Sequence, residues 1–124
     1  RPEDPSDIAF IVDDAHLLAG SPVEDAVLAW AARASGPLLV GVELEAAGSA
    51  FRGLVPLVGR HRRGLVLSPS TPTHGGVLGV RLPVGDRPVP GRGVLVEAGR
   101  CTRVQVLPVS PPASESTALS PDGP

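Results

Sequence analysis

The sequence contains no lysine, one cysteine and three aromatic residues among its 124 residues. Without lysine, the chain cannot supply the phosphate-binding Lys of a G-x-x-x-x-G-K-[ST] loop, and it cannot form a lysine Schiff base. The single cysteine, Cys101, excludes an internal disulfide and any metal site built from several cysteines. Because aromatic residues are only 2% of the chain, the hydrophobic core must be built mainly from Val, Leu and Ala.

Long apolar runs are also missing. No segment approaches the ~20 consecutive apolar residues that a membrane-spanning helix needs, and the first residues carry no signal-peptide pattern. We therefore expect this chain to be cytoplasmic, with any membrane anchor lying elsewhere in a parent protein. Residues 1–7 are polar with two prolines, which predicts a linker, and the Pro- and Ser-rich residues 108–124 predict a disordered tail.

Charge is distributed unevenly along the chain, although the net charge is only −2. Residues 8–45 carry six acidic side chains and one arginine, whereas residues 52–103 carry nine arginines and two acidic side chains. The arginines are interpreted either as a solvated face or as a surface that binds an anion or a partner.

The apolar pattern predicts alternating strands and helices. Ser21-Pro22-Val23-Glu24 is a capping box with proline at the first helical position, which is typical of a helix start. Short Val-, Ile- and Leu-rich runs are typical of buried parallel strands. The predicted order is strand 8–12, helix 22–34, strand 38–42, helix 49–62 and strand 64–68. This β-α-β-α-β order predicts an α/β fold with one parallel sheet and right-handed crossovers.

Two further details follow from the same pattern. The second helix should turn Phe51, Leu54, Val55 and Val58 inward and should kink or restart at Pro56, because proline lacks an N–H donor. Beyond residue 68 the apolar pieces at 93–97 and 102–107 predict a β-hairpin that turns at Ala98-Gly99-Arg100.

The main candidate for chemistry is the acid pair Asp13-Asp14, which directly follows the first predicted strand. In open α/β sheets, ligands bind outside the carboxyl ends of the strands, so acids at this point are well placed to act. The other interpretation is that these two residues start a turn or cap a short helical segment.

The stretch Ile11-Val12-Asp13-Asp14-Ala15-His16-Leu17-Leu18 resembles the Walker B segment of the FtsK/SpoIIIE family of P-loop translocase ATPases. The resemblance extends to Gly64–Ser68, to Pro90-Gly91-Arg92-Gly93, which is similar to a closing "PGRG" turn, and to Val104-Gln105-Val106. It covers roughly residues 8–107 and includes the ATPase domains of type VII secretion proteins. The family implies that this chain is the C-terminal half of a RecA-like P-loop domain.

The resemblance also implies cofactors and roles for named residues. Asp13 would take the Mg²⁺ position and Asp14 the position of the acid that polarises the attacking water. Arg92 is interpreted either as an exposed turn residue or as a contact with the nucleotide, ATP. Translocases of the family usually carry Glu at the second acid, so Asp14 is one methylene short. The implied partners are an upstream half carrying the Walker A loop, other copies in a ring, and DNA or a secreted protein as substrate.

Two alternatives remain open. A degenerate copy would bind partners without hydrolysing ATP, since the Walker A half is absent from this chain and Glu43-Leu44-Glu45 stands where relatives often place a polar sensor. A small regulatory domain with an acidic pocket is disfavoured, because such domains need a lysine on a late strand. The chain by itself is therefore expected to be an ATPase only when it is joined to the missing half.

Overall fold

A computed structural model describes residues 8–85, 87 and 89–110. The predicted linker 1–7 and residues 111–124 of the predicted tail lie outside this description. The strands are β1 (Phe10–Val12), β2 (Leu38–Val40), β3 (Arg63–Leu67), β4 (Arg92–Glu97) and β5 (Arg100–Gln105). The α-helices are α1 (Pro22–Ala31), α2 (Leu44–Ser49) and α3 (Leu54–Gly59), and two 3₁₀-helices span Ala15–Leu18 and Pro72–Leu78. No described helix is long and apolar enough to cross a membrane.

Strand β1, helix α1 and strand β2 form the expected β-α-β unit. Strands β1 and β2 pair in parallel, with Ile11 opposite Leu39, and α1 forms the crossover between them. The side of this sheet that faces the helices carries Val12, which is 5% exposed. Ile11 and Leu39 lie on the opposite side and are 71% and 65% exposed. The α/β class is thus confirmed, and none of the described elements covers the Ile11–Leu39 face of the parallel sheet.

The prediction that the third strand joins the same parallel sheet is wrong. In the described residues, β3 pairs antiparallel with β4, and β4 pairs antiparallel with β5, so a separate three-stranded sheet forms. The physical reason is that β4 and β5 are a local hairpin, whose two-residue turn has positive φ at Ala98 and Gly99. This hairpin offers β3 a full ladder of five paired residues.

The bounds of the predicted helix 49–62 are wrong: α3 covers only Leu54–Gly59, and α2, which the sequence pattern did not predict, ends at Ser49. Residues 50–53 form a break between the two helices that ends at Gly53, whose φ of 90° is accessible to glycine at little cost. Pro56 causes no break, because it lies in the first turn of α3, where an N–H has no partner within the helix. Phe51 lies in the break and is 90% exposed, so its predicted inward position is wrong.

Two hydrophobic clusters form the core. The first lies between the parallel sheet and helices α1 to α3, and its fully buried residue is Leu54. The second lies under the antiparallel sheet and contains Val66, Val94 and Val96. Val77, in the second 3₁₀-helix, packs against both clusters. The two sheets are therefore joined through packing beneath them and not through strand pairing.

Glu24 is the one buried charged residue in the described part of the chain, with 7% exposure. Half of the capping box forms: the Glu24 N–H donates to Ser21 Oγ at 3.3 Å, whereas the Ser21 N–H donates to the Leu18 carbonyl and not to Glu24. The Glu24 carboxylate accepts the N–H groups of Gly20 at 3.2 Å and of Leu54 at 3.4 Å. The side chain thus connects the start of α1 to the start of α3.

Replacing Glu24 by Ala is expected to lower the free energy of unfolding by about 1–3 kcal/mol, because the Leu54 N–H would remain buried without an acceptor. Glu24→Gln should cost less, since its amide oxygen still accepts one N–H. Urea unfolding measures both variants. Glu45→Ala is the matched control, because Glu45 is exposed and its loss should change stability by no more than about 0.5 kcal/mol. Equal stability of Glu24→Ala and Glu45→Ala would contradict this role.

Candidate functional site

The acid pair lies at the carboxyl end of β1. Both side chains are exposed, directly after the buried residue Val12. The pairing of β1 with β2 continues to this point, since the Gly41 N–H donates to the Val12 carbonyl at 2.8 Å and the Ala15 N–H donates to the Gly41 carbonyl at 2.9 Å. Asp13 and Asp14 therefore project from a fixed backbone at the end of the sheet where ligands of α/β folds bind.

Asp14 has a left-handed backbone, with φ 49° and ψ 46°. This conformation costs a non-glycine residue free energy, although Asp tolerates it better than most residues. The first 3₁₀-helix starts directly after Asp14, but the Asp14 side chain makes no capping hydrogen bond. The backbone does turn here, yet the capping interpretation does not account for the Asp14 carboxylate.

The Asp13 carboxylate has one local contact. Its Oδ1 accepts the N–H of Asp14 at 2.9 Å, which leaves the second oxygen without a hydrogen bond among the described residues. Gly41 lies beside it, because a Cβ at Gly41 would sit 3.1 Å from Asp13 Oδ1. Gly41, directly after β2, therefore leaves room beside Asp13 Oδ1 that a larger side chain would occupy.

The carboxylates of Asp13 and Asp14 could hold Mg²⁺ only together with a bound ligand that supplies further oxygen atoms. Within the described residues, no group of three or more His, Cys, Asp and Glu side chains could hold a metal ion. Mg²⁺ is commonly held by one or two carboxylates together with waters and substrate phosphates, so a full cage of side chains is not required. Asp13, whose second carboxylate oxygen has no hydrogen bond among the described residues, fits such a position.

A contact that the sequence analysis missed lies at the same end of the sheet. His16 Nε2 is 3.8 Å from a carboxylate oxygen of Glu43, and His16 Nδ1 is buried without a hydrogen-bond partner in the described part of the chain. His16 follows β1 and Glu43 follows β2, so both leave the carboxyl ends of neighbouring parallel strands. Both residues come shortly after strands that were predicted to be neighbours, and this position was the available sequence signal for the contact. Glu43 adds a third carboxylate, 68% exposed, to this region.

Arg92 lies elsewhere. It begins β4 and lines a cavity of about 70 Å³ together with Ser68, Arg87 and Arg103, whereas neither Asp13 nor Asp14 lines that cavity. The structure thus brings Asp13 and Asp14 together, and it groups Arg92 with other arginines. Cys101 packs against the second core cluster.

No protein-family model, no curated protein and no solved structure matches this chain.

Proposed function

We propose that this chain is the Walker B-containing C-terminal part of an FtsK/SpoIIIE-like, ATP-binding translocase, with a RecA-like core completed by an upstream half. The observation that carries the proposal is the acid pair at the carboxyl end of a parallel strand. Asp13 and Asp14 are exposed there, and most of their carboxylate oxygens have no structural hydrogen bond in the described residues.

The uncovered face of the parallel sheet supports the need for an upstream half. Parallel sheets are almost always covered by helices on both faces, and a pair of strands alone is marginal. Here Ile11 and Leu39 are opposite each other and mostly exposed. Additional strands and helices from the upstream half would bury this patch, and the same half would supply the lysine that binds the phosphates.

In the complete domain, Asp13 would hold Mg²⁺ through oxygen, Asp14 would orient the attacking water, and Arg92 would contact the nucleotide. When bound, Mg²⁺ neutralises charge that develops on the phosphate oxygens during transfer. Asp13 would contribute a negative charge from a backbone position held on both sides, because its neighbour Val12 and the nearby Ala15 are both hydrogen-bonded to Gly41. We further propose a ring of such domains that acts in the cytoplasm on DNA or on a secreted protein.

A non-hydrolysing partner-binding module is the second candidate, and the His16–Glu43 contact favours it. Glu43 places a third carboxylate near the acid pair, and residues 8–45 carry only one arginine against six acids. Such a concentration of negative charge repels phosphates unless a cation offsets it. In this alternative, Asp13 and Asp14 could be replaced without loss of function.

The test is to translate the DNA directly upstream of the Arg1 codon and to express the encoded segment with this chain as one joined polypeptide. We expect a G-x-x-x-x-G-K-[ST] loop between a strand and a helix, and Mg²⁺-dependent ATP hydrolysis by the joined polypeptide. The 124-residue chain alone should release no phosphate from ATP. An upstream stop codon without such a loop, or a joined polypeptide that does not bind ATP, would favour the non-hydrolysing module.

A further inference from the structure

A small cavity at the end of the antiparallel sheet is lined by three arginines. We name it the arginine pocket and define it by Arg87, Arg92, Arg103 and Ser68. Its walls also include prolines and apolar residues, namely Pro69, Pro83, Val89 and Val94. Three cationic side chains around one cavity repel each other, so an anion bound among them would relieve that repulsion.

The strand register places two of these arginines on the core side of the sheet. Residues directly opposite each other in an antiparallel pair share a face. Arg103 is opposite Val94, and Val94 is 3% exposed. Arg92 precedes Val94 by two residues and therefore shares its face. At this end of the sheet both arginine side chains are exposed to solvent, and no arginine in the described residues forms an ion pair with a carboxylate.

The backbone around Arg92 is held firmly. A Cβ at Gly91 would lie 2.4 Å from the Val106 carbonyl oxygen, and a Cβ at Gly93 would lie 2.6 Å from the Val66 carbonyl oxygen. Close packing therefore explains both glycines of the Gly-Arg-Gly turn, but it does not explain the arginine between them. The Gln105 side chain also donates to the Pro90 carbonyl at 3.0 Å, so the turn is fixed before any ligand binds.

Ser68 is the other polar residue that defines the arginine pocket. It follows β3 with a left-handed backbone, φ 48°, and its N–H donates to the Arg92 carbonyl at 2.8 Å. A hydroxyl donor is thereby held next to the arginines. Serine at a positive φ is unusual for an L-residue, and such positions occur more often where a ligand is bound.

The size and donor set of the cavity define the chemistry of its ligand. A volume of about 70 Å³ is far below the ~300 Å³ of a pocket that holds a whole small molecule, so it accommodates one group only. Guanidinium forks match the oxygens of phosphate in geometry and charge. We propose that the arginine pocket binds a phosphate group, free or carried by a nucleotide or nucleic acid. Arg92 is also the residue proposed above to contact the nucleotide, but phosphate binding in the arginine pocket requires neither Asp13 and Asp14 nor ATP hydrolysis.

The experiment titrates the ¹⁵N-labelled 124-residue chain with inorganic phosphate at low ionic strength and follows its amide signals by NMR. We expect saturable shifts at Ser68, Arg92, Gly93 and Arg103. Arg92→Gln and Arg103→Gln should each weaken phosphate binding by about tenfold, through loss of a charge-assisted contact. Arg103→Lys should bind with intermediate affinity, because it keeps the charge and loses the fork. Each variant's own amide spectrum reports whether it is folded.

The control variant is Arg33→Gln, since Arg33 is exposed on the C-terminal side of α1 and outside the pocket; its affinity for phosphate should be unchanged. Titrations with ATP without Mg²⁺ and with a single-stranded oligonucleotide identify the source, because the natural carrier should produce the same shifts at lower concentration than phosphate. Equal shifts with chloride at matched ionic strength, or equal loss of affinity in Arg33→Gln, would overturn the proposal. That result would leave ATP hydrolysis by the joined polypeptide as a separate question.

Discussion

ATP hydrolysis by the joined polypeptide is expected to fall at least about 100-fold when Asp13 is replaced by Asn. A factor of 100 corresponds to about 2.7 kcal/mol of transition-state stabilisation, which is within the range of several kcal/mol that a bound metal ion supplies. Asn is the appropriate replacement because its amide oxygen can still accept the Asp14 N–H that Asp13 Oδ1 accepts now. The substitution therefore removes the charge and preserves the turn. Steady-state phosphate release measures the effect.

Two further variants make this result specific. Asp14→Asn keeps the left-handed backbone, which Asn adopts readily, so a loss of hydrolysis would report the missing carboxylate. Asp25→Asn is the control, because Asp25 is exposed on the first turn of α1, and its hydrolysis rate should match the unmodified polypeptide. Wild-type hydrolysis by Asp13→Asn would remove Asp13 from the metal position and would support the non-hydrolysing module.

Leu54→Ala is expected to lower the free energy of unfolding by about 2–5 kcal/mol, the range for a leucine removed from a packed core. Leu54 is fully buried at the start of α3 and lies in the cluster that joins the helices to the parallel sheet. A loss of this size is a large part of the ~5–15 kcal/mol that stabilises a typical domain. Urea unfolding of the 124-residue chain, followed by circular dichroism, measures it.

Leu39→Ala is the informative comparison, because the same substitution is made at a residue that is 65% exposed. In the 124-residue chain it should change stability by no more than about 0.5 kcal/mol. In the joined polypeptide it should cost about 2 kcal/mol or more, because the upstream half would bury this side chain. A small effect in both would mean that the Ile11–Leu39 face remains uncovered, against the proposed completion of the sheet.

Local patterns were sufficient for much of the fold. Helix α1 follows from the Ser21–Glu24 capping box, although it ends at Ala31 and not at residue 34. The hairpin of β4 and β5 follows from a turn that contains Gly99. These elements were predictable because the interactions that fix them lie within a few residues of one another.

The partner of β3 could not be predicted in the same way. An apolar run of five residues is equally suitable for a parallel or an antiparallel neighbour, and distant residues decide between them. The same limit applies to Glu24, whose capping role was predictable, whereas its bond to the Leu54 N–H, 30 residues away, was not. In the candidate site, the position of Asp13 and Asp14 followed from the order of the strands. The grouping of Arg92 with Arg87 and Arg103 depends on the folded chain, including the register in which β4 pairs with β5, and could not be predicted from the sequence.

We expect Val77 to couple local unfolding of the parallel sheet to local unfolding of the antiparallel sheet. It packs against both core clusters, and its carbonyl oxygen lies so near Gly59 that a Cβ there would be 2.4 Å away. When one residue packs against two hydrophobic clusters, neither cluster keeps its packing once that contact opens. The amide protons of both sheets should therefore exchange with solvent through a common opening event. We therefore expect the parallel and antiparallel sheets to open as one cooperative unit, although among the described strands none of one sheet is hydrogen-bonded to a strand of the other.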